Sequence, residues 1–129
     1  MNSSCDFAVP SAKEYTKALK KLKKTISDEQ RQMLESHFRS ANQSAPFTKL
    51  ADAVGTDDYS VVIDEYEKLG RMLGDTLHMA YLESVARPGE PFYSSAIGSG
   101  NPYRSENEHY QLVMHRELVE ALRNLKWFK

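Results

Sequence analysis

The side chains best suited to metal binding or catalysis are two glutamates and two histidines between residues 106 and 115. Glu106, Glu108, His109 and His115 could bind a transition metal or exchange protons near neutral pH, since His109 and His115 would share one face of a β-strand. Alternating exposed residues on an edge strand explain the same pattern with fewer assumptions. We therefore predict no metal site, and an enzyme that uses this region is our third hypothesis, after two non-catalytic ones.

The sequence lacks the common motifs of catalysis and cofactor binding. It contains no G-x-x-x-x-G-K-[ST], no H-E-x-x-H and no C-x-x-C, and no Ser or Cys has a base placed by a local motif. Cys5 is the only cysteine, which excludes an intrachain disulfide and suits a reducing cytoplasm. No apolar run is long enough to cross a membrane. We predict a soluble, cytoplasmic protein without catalytic residues, without a cofactor and without membrane association.

A stripe of lysines is the strongest basic feature. Although the net charge is only −1, residues 1–26 contain six lysines against two acids. Four of them recur at helical spacing, on the face opposite to the apolar one: Lys13, Lys17, Lys20 and Lys24. Such a stripe is either a solvated helix face or a surface that neutralises nucleic-acid phosphates. Arg71, Arg104 and Arg116 are further candidates for phosphate contact.

Residues 52–67 have the opposite character, with six acids and no Lys or Arg. This segment could face a basic surface of a protein partner. The candidate contact residues are Asp57, Asp58, Asp64, Glu65 and Glu67.

The elements that must position these charges centre on residues 47–82. A short helix, with Thr48 as a possible N-cap and Gly55 as a left-handed terminus, precedes a long helix that begins near Tyr59. The long helix has one apolar stripe, at Val62, Tyr66, Leu69, Leu73 and Leu77. This pair is typical of a helix-turn-helix. Gly70 and Gly74 lie one turn apart in the stripe and predict a close approach, most simply by the backbone of another helix.

Two further helices precede this pair. Ser11 with Glu14, and Ser27 with Gln30, each form the pattern of a capping box. His37 lies on the apolar side of the second helix, so we predict a core histidine with a hydrogen-bond partner rather than a metal ligand.

After residue 82 we predict two paired strands, at about 92–97 and 110–115, and a last helix from about Arg116 that ends in Trp127 and Phe128. The fold class is therefore mainly α with a small two-stranded β element. It corresponds to a winged-helix-like helix-turn-helix domain with extra terminal helices. Residues 1–10 form a tail, and residues 11–129 form one domain. The apolar stripe of residues 60–82 could also be shared with a second copy in a homodimer.

Several core positions resemble those of the helical region that precedes the nuclease domain in predicted HNH-type restriction endonucleases of bacteria. The similar residues are His37-Phe38, the run from Phe47 to Gly55, Tyr59, Tyr66, Leu69-Gly70-Arg71, Met114 to Leu122, and Trp127. The resemblance spans about residues 10–128. It implies a role in restriction or phage defence.

The chain departs from that family in two ways. No histidine matches the general base of an HNH unit, so the nuclease part is absent. The long helix also opens with Asp64, Glu65 and Glu67, where a recognition helix normally brings basic or amide side chains to base edges.

Two main hypotheses follow. The first is a non-catalytic module that binds double-stranded DNA. The alternative is a protein-binding adaptor or inhibitor that uses the acidic surface of residues 52–67 against a basic partner.

Overall fold

The computed structural model describes residues 9–83, 89–100 and 111–128. Within these ranges the chain is mainly helical. The α-helices are α1 Ala12–Leu22, α2 Asp28–Arg39, α3 Phe47–Val54, α4 Tyr59–Leu77 and α5 Arg116–Leu125. The strands are β1 Ser44–Pro46, β2 Leu82–Glu83, β3 Pro91–Phe92, β4 Gly98–Gly100 and β5 Gln111–Met114. Two 3-10 helices span Ala41–Gln43 and Tyr93–Ala96.

Both predicted capping boxes are confirmed. In α1 the Glu14 backbone N–H donates to Ser11 Oγ at 3.2 Å, and the Ser11 N–H donates to the Glu14 carboxylate at 3.0 Å. In α2 the same pair of bonds joins Ser27 and Gln30, at 3.1 and 3.0 Å. These bonds satisfy backbone donors that the first turn of a helix leaves unpaired, so they fix where each helix begins.

The helix-turn-helix region has the predicted order, with different boundaries. The prediction that Thr48 is the N-cap of α3 is wrong. Pro46 occupies the N-cap position, so α3 begins at Phe47, before Thr48. Gly55 ends α3 in the left-handed conformation, with φ of 74°, as predicted. Helix α4 begins after Asp58 and ends at Leu77, short of residue 82, because His78 adopts a left-handed conformation with φ of 57°.

The main sheet is antiparallel and has three strands, in the order β1-β5-β4. A small antiparallel sheet is therefore confirmed, but the predicted pairing of residues 92–97 with residues 110–115 is wrong. Most of residues 92–97 form the 3-10 helix Tyr93–Ala96, and β5 pairs instead with Gly98–Gly100. The edge strand β1, where Ala45 lies opposite Leu112, comes from a segment for which the sequence analysis predicts no strand. Residues 101–110 lie outside the described ranges.

A second sheet consists of β2 and β3, with Leu82 opposite Phe92. This short hairpin lies between α4 and the 3-10 helix Tyr93–Ala96 in the chain.

One hydrophobic cluster contains residues of every α-helix and of strands β1 and β5. Helix α1 packs on α4 and α5, and α3 packs on both α2 and α4. The largest fully buried side chains are Tyr15, Tyr66, Leu19, Met33, Leu34, Leu50, Leu69, Leu73, Ile97, Leu112, Leu118 and Leu122. At the end of the chain Phe128 is buried, and the Arg31 guanidinium lies 4.6 Å from the Trp127 ring centroid. None of the helices in the described ranges has both the length and the apolarity that crossing a membrane requires.

The two helix glycines allow the close approach predicted for them. A Cβ atom at Gly70 would collide with the backbone of Tyr93 and Ser94, and one at Gly74 would collide with the Tyr81 ring. The neighbour at Gly70 is thus the backbone of another helix, the 3-10 helix Tyr93–Ala96, as expected, whereas the neighbour at Gly74 is an aromatic side chain.

Candidate nucleic-acid interface

Helix α1 separates its lysines from its apolar residues. Tyr15, Ala18 and Leu19 are buried, and the four lysines of the predicted stripe are exposed, three on α1 and the last in the turn after it. We call Lys13, Lys17, Lys20 and Lys24 the lysine face. No ion pair among the described residues involves any of these four side chains. The positive charges of the lysine face are therefore directed to solvent and form no ion pair with a carboxylate of the described residues.

Two interactions fix the orientation of this helix. The buried Tyr15 hydroxyl donates a hydrogen bond of 2.7 Å to the Ala96 carbonyl, and burial raises the pKa of Tyr15. The Glu14 carboxylate is engaged in the cap, where hydrogen bonds from Ser11 lower its pKa more than the nearby Lys17 does. Because Tyr15 is tied to the segment before β4, the lysine face has a fixed direction relative to the rest of the domain.

The three arginines of the prediction are differently placed. Arg71 is exposed on α4, where its Nε lies 3.7 Å from an Asp75 carboxylate oxygen and its guanidinium 5.3 Å from the Tyr93 ring centroid. Arg116 is exposed at the first residue of α5, the helix on which α1 packs. Arg104 lies outside the described residues.

The five acids of the alternative surface divide into two groups. Asp57, Asp58 and Asp64 are exposed. Asp58 also caps α4, where its carboxylate accepts from the Ser60 hydroxyl at 2.7 Å and from the Ser60 N–H at 3.1 Å. These bonds lower the pKa of Asp58, the hydroxyl bond most strongly. The three side chains can therefore present negative charge to a partner.

Glu65 and Glu67 are engaged within the chain. Glu65 accepts hydrogen bonds from Lys68 at 3.1 Å and from the buried Gln30 amide at 3.3 Å. Glu67 accepts from the backbone N–H groups of Tyr93 and Ser94, at 3.3 and 2.7 Å. The Glu67 carboxylate thus accepts hydrogen bonds from the first backbone N–H groups of the 3-10 helix Tyr93–Ala96. No local sequence pattern indicates this role.

Two apolar side chains in the acidic segment are exposed, which the sequence patterns above do not predict. Tyr59 and Val61 are 48% and 47% exposed at the start of α4. The exposure of Val61 could have been inferred from the sequence. Val61 directly precedes Val62, the first residue of the buried stripe, and adjacent residues of a helix point in different directions. Together with the three exposed aspartates, these residues form what we call the acidic face: Asp57, Asp58, Tyr59, Val61 and Asp64.

His37 has a structural role, as predicted. Its Nε2 lies 2.7 Å from the Leu112 carbonyl and its Nδ1 2.7 Å from the Tyr66 hydroxyl. A carbonyl can only accept, so Nε2 carries the proton and Nδ1 accepts from Tyr66. Burial lowers the pKa of His37 to about 4, which keeps the ring neutral.

His115 is not an exposed edge-strand residue as the sequence suggests. It follows β5, is half-buried, and its Nε2 lies 2.8 Å from the Ser95 carbonyl. Burial is the main cause that lowers its pKa. Glu106, Glu108 and His109 lie outside the described ranges. Within those ranges no group of three or more His, Cys, Asp or Glu side chains is placed to hold a metal ion.

Comparison with known proteins gives no relative. No family model, no curated protein and no solved structure matches the chain.

Proposed function

We propose that the protein is a non-catalytic module that binds double-stranded DNA, with a role in restriction or phage defence as the sequence resemblance implies. The observation that carries this proposal is the lysine face. Its four exposed lysines lie along one side of α1 and the turn that follows, and the other side of this helix is anchored in the core. A row of fixed, unpaired cations is the arrangement that neutralises successive backbone phosphates.

The order of the elements supports the same function. Helices α2, α3 and α4, with β1 between the first two and the pair β4 and β5 after the third, follow each other as in a winged-helix domain. The sheet order β1-β5-β4 also agrees with that fold. In this arrangement α4 is the counterpart of the recognition helix. Helix α1 and the segment between α4 and β4 are then additions to the winged-helix core.

The charges of α4 favour contact with phosphates over contact with bases. Its exposed side carries Asp64, Lys68, Arg71 and Asp75, which sum to zero. Lys68 and Arg71 are also paired with acids of the same helix. A balanced surface of this kind adds little direct base readout, so the lysine face would dominate affinity and binding would depend only weakly on DNA sequence.

The test is fluorescence anisotropy with a mixed-sequence duplex across a salt series. Four phosphate contacts predict a slope of about −3 to −4 for log K against log salt concentration. The variant Lys13→Ala/Lys17→Ala should weaken binding and flatten this slope by about two. Alanine preserves the helix, because it has the highest helix propensity.

A matched control removes two charges elsewhere. In Arg39→Ala/Lys49→Ala the truncated side chains are exposed on α2 and α3, and binding should be retained. The absence of any salt-dependent binding to duplex DNA at low salt would refute the proposal.

The acidic face supports a second candidate function, that of a protein-binding adaptor or inhibitor. Exposed Tyr59 and Val61 between carboxylates combine apolar contact area with charge complementarity for a basic partner. In a pull-down from the native host, a stoichiometric partner should be lost with Tyr59→Ser/Asp64→Asn and retained by Lys13→Ala/Lys17→Ala. Asp58 is left intact in this variant because it caps α4. A partner that both variants retain, or no partner at all, would count against this candidate.

A further inference from the structure

A shallow groove of about 420 Å³ lies between the turn that joins α1 to α2 and the middle of α4. Thr25 and Ser27 line it from the turn, and Lys68, Arg71 and Met72 line it from α4. Lys24, the last residue of the lysine face, directly precedes Thr25 in the chain. The groove is therefore lined by the two basic residues of α4, and its turn side begins one residue after the end of the lysine face.

The cations of the groove are held loosely. Lys68 and Arg71 are 68% and 63% exposed, and their partners Glu65 and Asp75 lie at 3.1 and 3.7 Å. Exposed pairs of this kind contribute little and are readily screened or exchanged. The guanidinium can bind two phosphate oxygens at hydrogen-bond distance, which is a closer pairing than the 3.7 Å that separates its Nε from the Asp75 carboxylate.

Two acids oppose an anion here, Glu65 beside Lys68 and Asp75 beside Arg71. Asp75 lines the groove, and its carboxylate accepts a 2.7 Å hydrogen bond from the Tyr81 hydroxyl in addition to facing Arg71. This bond stabilises the charged carboxylate. The two carboxylates offset the charges of Lys68 and Arg71, so a phosphate would bind here by displacing them from these exposed pairs.

We propose that this groove binds a backbone phosphate of the DNA strand that the lysine face contacts. Lys68 and Arg71 supply the charge, the Thr25 hydroxyl can donate a hydrogen bond, and Met72 offers an apolar surface to the adjoining sugar. The inference rests on the proposed function and extends the phosphate path from α1 to α4. In the complex, the phosphate would replace Asp75 as the partner of Arg71.

The first test is the anisotropy salt series with Lys68→Gln/Arg71→Gln. Affinity at a fixed salt concentration should fall several-fold, and the slope should flatten by about one for each phosphate that the variant no longer neutralises. Asp75→Asn should act in the opposite direction and strengthen binding. Arg39→Gln is the matched control, because Arg39 is an exposed arginine paired with Glu35 one helical turn away, as Arg71 is with Asp75.

A second readout locates the binding site without mutation. In a protein labelled with ¹³C at its methionine methyl groups, the Met72 signal should shift when the duplex is added. The signals of Met33 and Met114, which are 1% and 3% exposed, should stay in place.

The outcomes separate the two proposals. If the duplex binds through the lysine face while Met72 does not shift and Lys68→Gln/Arg71→Gln binds like wild type, the groove is refuted and the proposed function stands. If the duplex does not bind at all, both are refuted.

Discussion

The imidazole of His37 connects α2, α4 and β5 through two short hydrogen bonds in the core. Its partners, Tyr66 and Leu112, are 29 and 75 residues away in the chain. The apolar periodicity of α2 was enough to predict that this histidine is buried. The partners could not be predicted, because they depend on how α4 and β5 pack against α2.

This arrangement makes stability depend on pH. The pKa of His37 is about 4 in the folded protein, against an ordinary value of 6.5. As the pH falls, this histidine is protonated in the unfolded chain before it is protonated in the folded protein. Its contribution to the stability of the fold is therefore complete above pH 6.5 and is lost as the pH falls toward 4. The limiting slope for one group is about 1.4 kcal/mol per pH unit. His115, whose pKa is also lowered, adds a contribution of the same sign.

Urea denaturation between about pH 5 and 7.5 measures this effect. The free energy of unfolding of the wild-type protein should fall with pH below 6.5, and an NMR titration of the His37 ring should give a midpoint near 4. The control is His78→Asn, which replaces an exposed histidine with a residue that tolerates its left-handed conformation. It should keep the wild-type slope. A flat profile across the acidic half of this range would contradict the assignment.

At the scale of elements, the contact between α4 and the 3-10 helix Tyr93–Ala96 contains most of what the sequence did not reveal. Gly70 admits the backbone of Tyr93, and Glu67 accepts hydrogen bonds from the first two N–H groups of this 3-10 helix. The local pattern of residues 92–97 suggests a strand. A tertiary contact overrides it, because a carboxylate from another helix satisfies donors that would otherwise pair in a sheet.

Replacing Gly70 tests how tightly these two elements are packed. In an open helix Gly→Ala would stabilise the protein by about 1 kcal/mol. Here the new methyl group meets backbone atoms that cannot rotate away, so we expect Gly70→Ala to destabilise the protein by about 1–3 kcal/mol. Urea denaturation measures the change. Gln32→Ala, at an exposed position of α2, should be close to neutral, and a more stable Gly70→Ala variant would show that the contact is loose.

At the scale of the whole molecule, the charges lie on distinct surfaces. The lysine face was predicted in full from helical spacing, as were both capping boxes and the left-handed Gly55, because each depends on residues within a few turns of one another. The acidic segment was only partly predicted. The folded chain engages Glu65 and Glu67 internally and exposes Tyr59 and Val61 beside the remaining acids.

The lysine face should reduce the stability of the fold that presents it. Lys17 has lysines four residues away on both sides, and like charges at this spacing destabilise a helix by a few tenths of a kcal/mol per pair. Lys17→Glu turns the repulsions with the neighbouring lysines into attractions, which outweigh the new repulsion from Glu14, so it should raise the free energy of unfolding by roughly 0.5 kcal/mol while it weakens DNA binding. Both quantities can be measured on one preparation. Lys49→Glu, on α3, is the control for binding, and a decrease in the stability of Lys17→Glu would contradict the argument.

The order of the sheet has a consequence for how the chain folds as it is synthesised. The central strand, β5, is the last strand in the described part of the chain, and it joins β1 to β4. Helix α1 likewise packs on α5. Helices α3 and α4 can cover parts of α2 and α1 earlier, but the part of the apolar face of α1 that packs on α5 remains accessible until about residue 125 has emerged. We expect late, cooperative folding that is open to chaperones during translation, because contacts distant in sequence form slowly.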